Sequence, residues 1–230
     1  MSEEIQNGQN QPEKTKKKLT KLEKKFRSLH RVHHLLRPIF PYKKHGHTQP
    51  YNDRAYIIVG NHRSYIDVLP VALATDRPVH FIAKKALWEK GVFKKFVVKC
   101  ECIPVNRDGG DVRAMMTAIK YLRNGENIGI FPEGTRNKTD EIFLPLKSGA
   151  AALAIRTKTP IIIVIALKKF RPFRRHHVIF SEPFELTEYY DKKLTDEDVA
   201  AADEQLRLRM VEEYYRLCDL TDKKKKKQAK

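Results

Sequence analysis

The stretch Ile161-Ile162-Ile163-Val164-Ile165 limits the possible folds of this chain more than any other. Consecutive β-branched side chains suit a pleated surface better than a helix, so Pro160–Leu167 reads as a buried strand. It is far shorter than the ~20 apolar residues a bilayer-spanning helix needs. Shorter apolar runs at Ala55–Gly60, Val79–Ala83, Ile103–Val105, Asn127–Phe131 and His177–Phe180 read the same way. Helical segments lie between them. In Asp111–Arg123, Val112, Met115, Met116, Ile119 and Leu122 share one face, and Gly125 supplies the stop. Gly149–Thr157 is Ala-rich, and Thr195 with Asp198 forms a capping box for a last helix reaching about Leu217. Such alternation predicts an α/β fold, a largely parallel sheet flanked by helices. The 230 residues suffice for one such domain, over 42–220.

The flanks differ in character. Residues 1–15 have almost nothing to bury and read as disordered. Over 16–41, Leu19, Leu22, Phe26, Leu29, Val32, Leu35, Leu36 and Ile39 recur at helical spacing among lysines, arginines and histidines, before Pro38 and Pro41 end the pattern. One apolar stripe opposite a cationic face suits a helix lying on a membrane surface, and equally a helix packed on the domain with solvated lysines. A lysine-rich tail, 221–230, closes the chain. The net charge of +18 points to polyanionic partners: nucleic acid, anionic headgroups or phosphorylated substrates. No nucleic-acid-binding motif and no stacking platform of aromatics accompanies it, so nucleic acid is not expected as the partner. The three cysteines, Cys100, Cys102 and Cys218, lack paired spacing and read as reduced thiols. No signal peptide is visible, and a peripheral position on the cytoplasmic face of a membrane is expected.

Two strand ends carry the candidate chemistry. After Ala55–Gly60 comes Asn61-His62-Arg63-Ser64-Tyr65-Ile66-Asp67. Ser64 and Asp67 have capping-box spacing, so a helix starts near Ser64, with a kink or later start imposed by Pro70. Residues five apart on a continuous helix point about 140° apart. A histidine in the preceding loop, however, can fold back onto the carboxylate. Asp67 would then hold one ring nitrogen and leave the other free as a general base. After Asn127–Phe131 comes Pro132-Glu133-Gly134-Thr135-Arg136, a turn with free amides and one guanidinium suited to an anion, or else a plain turn with a Glu133–Arg136 ion pair. Arg107 follows the Ile103–Val105 strand, so all three groups fall on one edge of the sheet.

These blocks resemble the 1-acylglycerol-3-phosphate acyltransferases within the glycerolipid acyltransferase superfamily. Asn61–Asp67 is similar to that family's His-x4-Asp block. Val105-Asn106-Arg107 resembles its second block, Phe131–Arg136 its third, Lys147-Ser148-Gly149-Ala150 the segment after it, and Thr159–Ile162 its fourth. The likeness runs over roughly 35–184, in the family's order. Ile163 stands where the fourth block usually has a second proline, and Asn106 where the second usually has aspartate.

The resemblance implies acyl transfer from acyl-CoA or acyl-carrier protein to a lysophospholipid, with His62 and Asp67 as the catalytic pair. It implies that Asn61, Arg107, Glu133, Gly134, Thr135, Arg136 and Lys147 bind the acceptor, and that neither metal nor cofactor is needed. His33, His34, His45 and His47 cluster without acidic or thiol companions at ligand spacing. The implied acceptor is 1-acyl-sn-glycerol-3-phosphate. Glycerol-3-phosphate, another lysophospholipid or a lyso-ornithine lipid remain open alternatives. An anionic membrane surface is the expected partner, reached through the N-terminal basic helix, the aromatic–lysine segment Leu87–Phe96, or the lysine tail.

Overall fold

The structure, a computed structural model, describes residues 36–89, 91–106, 111–147 and 149–228. The β-branched run does form a central strand. Seven strands make one sheet: β1 (Tyr42–Gly46), β2 (Ile57–Gly60), β3 (Val79–Lys84), β4 (Ile103–Val105), β5 (Asn127–Ile130), β6 (Ile161–Ala166) and β7 (His176–Phe180), in the order β1-β7-β6-β2-β5-β3-β4. All pairings are parallel except β6 with β7. Five helices accompany them among the described residues: α1 (Val68–Ala72), α2 (Gly91–Lys99), α3 (Val112–Arg123), α4 (Ala150–Thr157) and α5 (Asp196–Gln228).

Both sheet faces are covered, which is why the central strands are apolar without alternation. Ile57, Val59, Ile161, Ile163 and Ile165 face a core built with α3, α4 and α5. Ile58, Ile162 and Val164 face a second core with α1 and α2. All eight side chains are almost wholly buried, each stabilising by about 1.5–3 kcal/mol relative to exposure. Asn127, fully buried at the head of β5, accepts from the Tyr56 amide and donates to the Pro78 carbonyl. One side chain thus ties β5 to the segments entering β2 and β3 and holds the register that aligns the loops beyond.

The structure departs from the sequence expectations at the flanks. β1, Tyr-Lys-Lys-His-Gly, is a strand that hydrophobic patterning does not reveal; backbone pairing with β7 makes it. α5 opens on the expected box, with Thr195 and Asp198 exchanging hydrogen bonds, but runs to Gln228 instead of stopping near Leu217. No glycine or proline follows Thr195 to end it, so the lysines expected in a tail continue the helix. Most of the expected 16–41 helix lies outside the described residues. Cys100 and Cys102 are buried free thiols, and Cys218 is a partly buried one.

Candidate active site

The carboxyl edge of β2 and β5 builds the site. β2 and β5 are parallel neighbours with Ile57 opposite Ile128, and continuing that register beyond the strands brings His62 opposite Glu133. The His62 amide donates to Glu133 Oε1 at 2.8 Å, and the Leu144 amide donates to Oε2 at 3.0 Å. Glu133 is 2% exposed, and its burial pushes its carboxyl up from the ordinary glutamate value, against the two amides that pull it down. On the other side, Asn61 continues the pairing of β2 with β6: its carboxamide donates to the Ala166 carbonyl and accepts from the Ala166 amide, both at 2.9 Å. The backbone entering His62 is therefore gripped from both neighbouring strands.

This geometry shows how two of the residues expected to bind the acceptor are held. Asn61 and Glu133 are buried, and their polar arms are bonded to backbone: Asn61 to the Ala166 amide and carbonyl, Glu133 to the His62 and Leu144 amides.

His62 precedes a 3-10 turn, Tyr65–Asp67, that leads into α1. The late start of the α-helix places Pro70 in its first turns, where a missing amide costs no hydrogen bond. Asp67, 2% exposed, gathers the loop. Its Oδ2 accepts from the Arg63 and Ser64 amides, both at 2.5 Å, and lies 3.3 Å from His62 Nδ1. Oδ1 accepts from Ser64 Oγ at 3.1 Å, and Ser64 Oγ accepts from the Ile66 amide. Ser64 is thus a cap with its hydroxyl engaged. A carboxylate can only accept, so in a neutral ring this contact favours the proton on His62 Nδ1 and a lone pair on Nε2. The ring lies on Phe131, centroids 4.3 Å apart and planes 24° apart. Gly60 makes room for that stack, since a Cβ there would sit 2.7 Å from Val71 and 3.0 Å from Phe131.

The cationic turn lies beside the pair. Gly134 has φ +65°, a left-handed conformation that other residues adopt at a cost, and a Cβ there would approach Lys147 Cδ to 2.8 Å. The Lys147 stem therefore crosses directly over Gly134. Thr135 and Lys147 are exposed, and Arg136 is half-buried with its guanidinium 3.9 Å from the Tyr65 ring centroid. Arg136 from the third block is so held by a residue of the first, not by the Glu133 ion pair that its spacing allows. Arg107 lies outside the described residues; β4, which precedes it, is separated from β2 by β5 and β3, about 14 Å across the sheet.

Several contributors escaped the sequence reading. The Arg63 guanidinium donates to the Glu141 and Ile142 carbonyls, and the Asn137 amide donates to the His62 carbonyl at 2.6 Å. Asn137 Oδ1 accepts from the Thr139 amide, an Asx turn that the Asn-Lys-Thr spelling could have signalled. Of the clustered histidines, His45 pairs with His177 and His47 with Glu182, while His33 and His34 lie outside the described residues.

Fold and site define a class: an α/β protein with a histidine–aspartate pair beside a cationic turn, at the carboxyl edge of a mainly parallel sheet. Residues 41–166 match the acyltransferase family, and the chain belongs to it. It is 33% identical over 111 residues to the 1-acyl-sn-glycerol-3-phosphate acyltransferase of Bacillus subtilis, covering 48% of this chain and 54% of that protein. It is 30% identical over 158 residues to the Streptococcus pneumoniae protein of the same name, covering 65% and 57%. The chain thus spans about half the length of the curated relatives it matches. The 1-acyl-sn-glycerophosphate (LPA) acyltransferase PlsC from Thermotoga maritima has a similar structure, with a TM-score of 0.59 at 25% identity, covering 84% of this chain and 78% of that one. No described helix is long and apolar enough to cross a membrane.

Proposed function

We propose that this chain transfers a fatty acyl group from an acyl thioester, acyl-CoA or acyl-carrier protein, to the sn-2 hydroxyl of 1-acyl-sn-glycerol-3-phosphate, making phosphatidic acid at the cytoplasmic face of a membrane. The observation that carries this reading is the His62–Asp67 pair, with no hydrogen bond to Nε2 among the described residues, next to the cationic turn of Gly134, Arg136 and Lys147. His62 Nε2 takes the proton of the acceptor hydroxyl as its oxygen attacks the thioester carbonyl. The carbon–sulfur bond breaks, and the proton passes from the imidazolium to the departing thiolate. Asp67 holds the ring and stabilises its charged form, and a base so positioned gives roughly 10²–10⁴-fold in rate. Arg136, Lys147, Arg107 and the backbone at Gly134 and Thr135 hold the acceptor's phosphate. Anchoring the phosphate makes the attack effectively intramolecular. No metal or cofactor enters these steps.

The test is acyl transfer to lysophosphatidic acid on vesicles, from each thioester donor, with wild type and His62→Ala side by side. Phosphatidic acid formed by wild type and lost in the variant is the expected result. Folded wild type that acylates no lysophospholipid would refute the proposal.

A further inference from the structure

The loop between β6 and β7 is unused by the chemistry above. No aspartate or glutamate occurs between Glu141 and Glu182. Within that acid-free span, Lys168, Lys169, Arg171, Arg174 and Arg175 are all exposed, and no salt bridge to them is found among the described residues. In their midst Phe173 is 78% exposed, more than any other large apolar residue described.

The backbone makes that exposure harder to dismiss. The Arg174 amide donates to the Arg171 carbonyl, closing a four-residue turn with Pro172 second and Phe173 third. Phe173 has φ +58°. Proline second and positive φ third are the marks of a type II turn, whose third place suits glycine. Here a phenylalanine takes on the left-handed strain and gets no packing in return, an outlier of the kind that points to function.

The root of the loop is rigid. Phe170 is buried against Tyr42 and His176, the Arg171 amide donates to His176 Nε2, and the Phe173 amide donates to the Ile39 carbonyl at 2.6 Å. The loop also rises from Ala166, the residue bonded to Asn61, and so leaves the same sheet edge as His62.

We infer that the Lys168–Arg175 hairpin is a docking surface for an anionic phospholipid bilayer, with Phe173 entering the headgroup layer and the five cations around it contacting lipid phosphates. An aromatic flanked by long cationic side chains matches the chemistry of that interface. Nucleic acid would want further exposed rings beside Phe173 for stacking, and the loop provides none. The inference rests on the proposed lipid reaction only for its purpose: docking here turns the His62 edge towards the membrane that supplies the acceptor.

The test uses the full chain with phosphatidylglycerol-rich and pure phosphatidylcholine vesicles, measured by co-sedimentation. Arg174→Ser with Arg175→Ser should weaken binding to the anionic vesicles about 25-fold, at about 5-fold per cation. Phe173→Ser should weaken it at least about 10-fold. Melting and turnover of a dispersed short-chain lysophosphatidic acid should stay as in wild type. Phe173→Trp, in a Trp88→Phe background, should show a blue-shifted emission with vesicles; an unshifted emission contradicts ring insertion. Wild-type vesicle binding by both serine variants would overturn the inference, as would losses seen with RNA but not with vesicles. If wild type acylates no lysolipid while Phe173→Ser still loses the vesicles, the function proposed above fails and the docking surface stands.

Discussion

Glu133→Gln separates two roles for the third block. A phosphate-binding residue should move the acceptor KM when changed, whereas a residue that fixes the His62 backbone should move kcat. Glu133 uses both oxygens as acceptors for amides, His62 at 2.8 Å and Leu144 at 3.0 Å. Glutamine keeps the shape but has one accepting arm, so one amide must face an N–H group. A buried donor without a partner costs about 1–3 kcal/mol. Relief of the buried charge offsets part of this, because burial is the largest influence on Glu133 and raises its pKa. A net loss of about 1–2 kcal/mol lowers Tm by roughly 2–8 °C for a domain this size. If the amide of His62 is the one released, the ring shifts against its substrate, and a displacement near 1 Å costs up to about 100-fold in kcat. Steady-state kinetics with varied lysophosphatidic acid and a thermal melt measure both quantities. A changed KM with kcat intact would refute the positioning role. The pH dependence gives a second check. A pKa raised in the folded state means that the Glu133 contribution to stability is full below the ordinary glutamate value and lost as pH rises through the folded one. The stability gap between wild type and Glu133→Gln should therefore shift against wild type as pH rises through that window, and a gap that grows in favour of wild type contradicts the assignment.

Two further substitutions probe the site. Asp67→Asn leaves Ser64 and the loop amides an oxygen to bond but removes the charge opposite His62 Nδ1; acyl transfer should fall roughly 10²–10⁴-fold in a protein whose circular dichroism matches wild type, and a fall under tenfold would count against Asp67 as the orienting group. Gly134→Ala forces a Cβ against Lys147 at φ +65°, so it should raise the acceptor KM and cost about 1 kcal/mol in urea melts, and unchanged kinetics would mean that the Lys147 stem is not part of the phosphate site.

What could be read from sequence divides along a physical line. Strands such as Ile161–Ala166 announce themselves because burial on both faces demands an unbroken apolar run, and the capping pairs Ser64–Asp67 and Thr195–Asp198 are local, so spacing alone reveals them. β1 escaped because its stability comes from backbone bonds to β7, over a hundred residues away, which leave no trace in side-chain pattern. The site shows the same division. That His62 and Asp67 lie together follows from five residues of chain, but the bonding of Glu133 depends on which strands are neighbours and in what register. A carboxylate in a Pro-Glu-Gly-Thr-Arg turn looks like part of an anion-binding loop until β5 is set beside β2. Then the pairing that puts Ile57 opposite Ile128 brings Glu133 to the His62 amide, and a carboxylate spelled like part of an anion-binding turn is found bonded to backbone. Arg136 is the converse: its spelling allows a local ion pair with Glu133, yet with that carboxylate bonded to the His62 and Leu144 amides its guanidinium stacks on the Tyr65 ring.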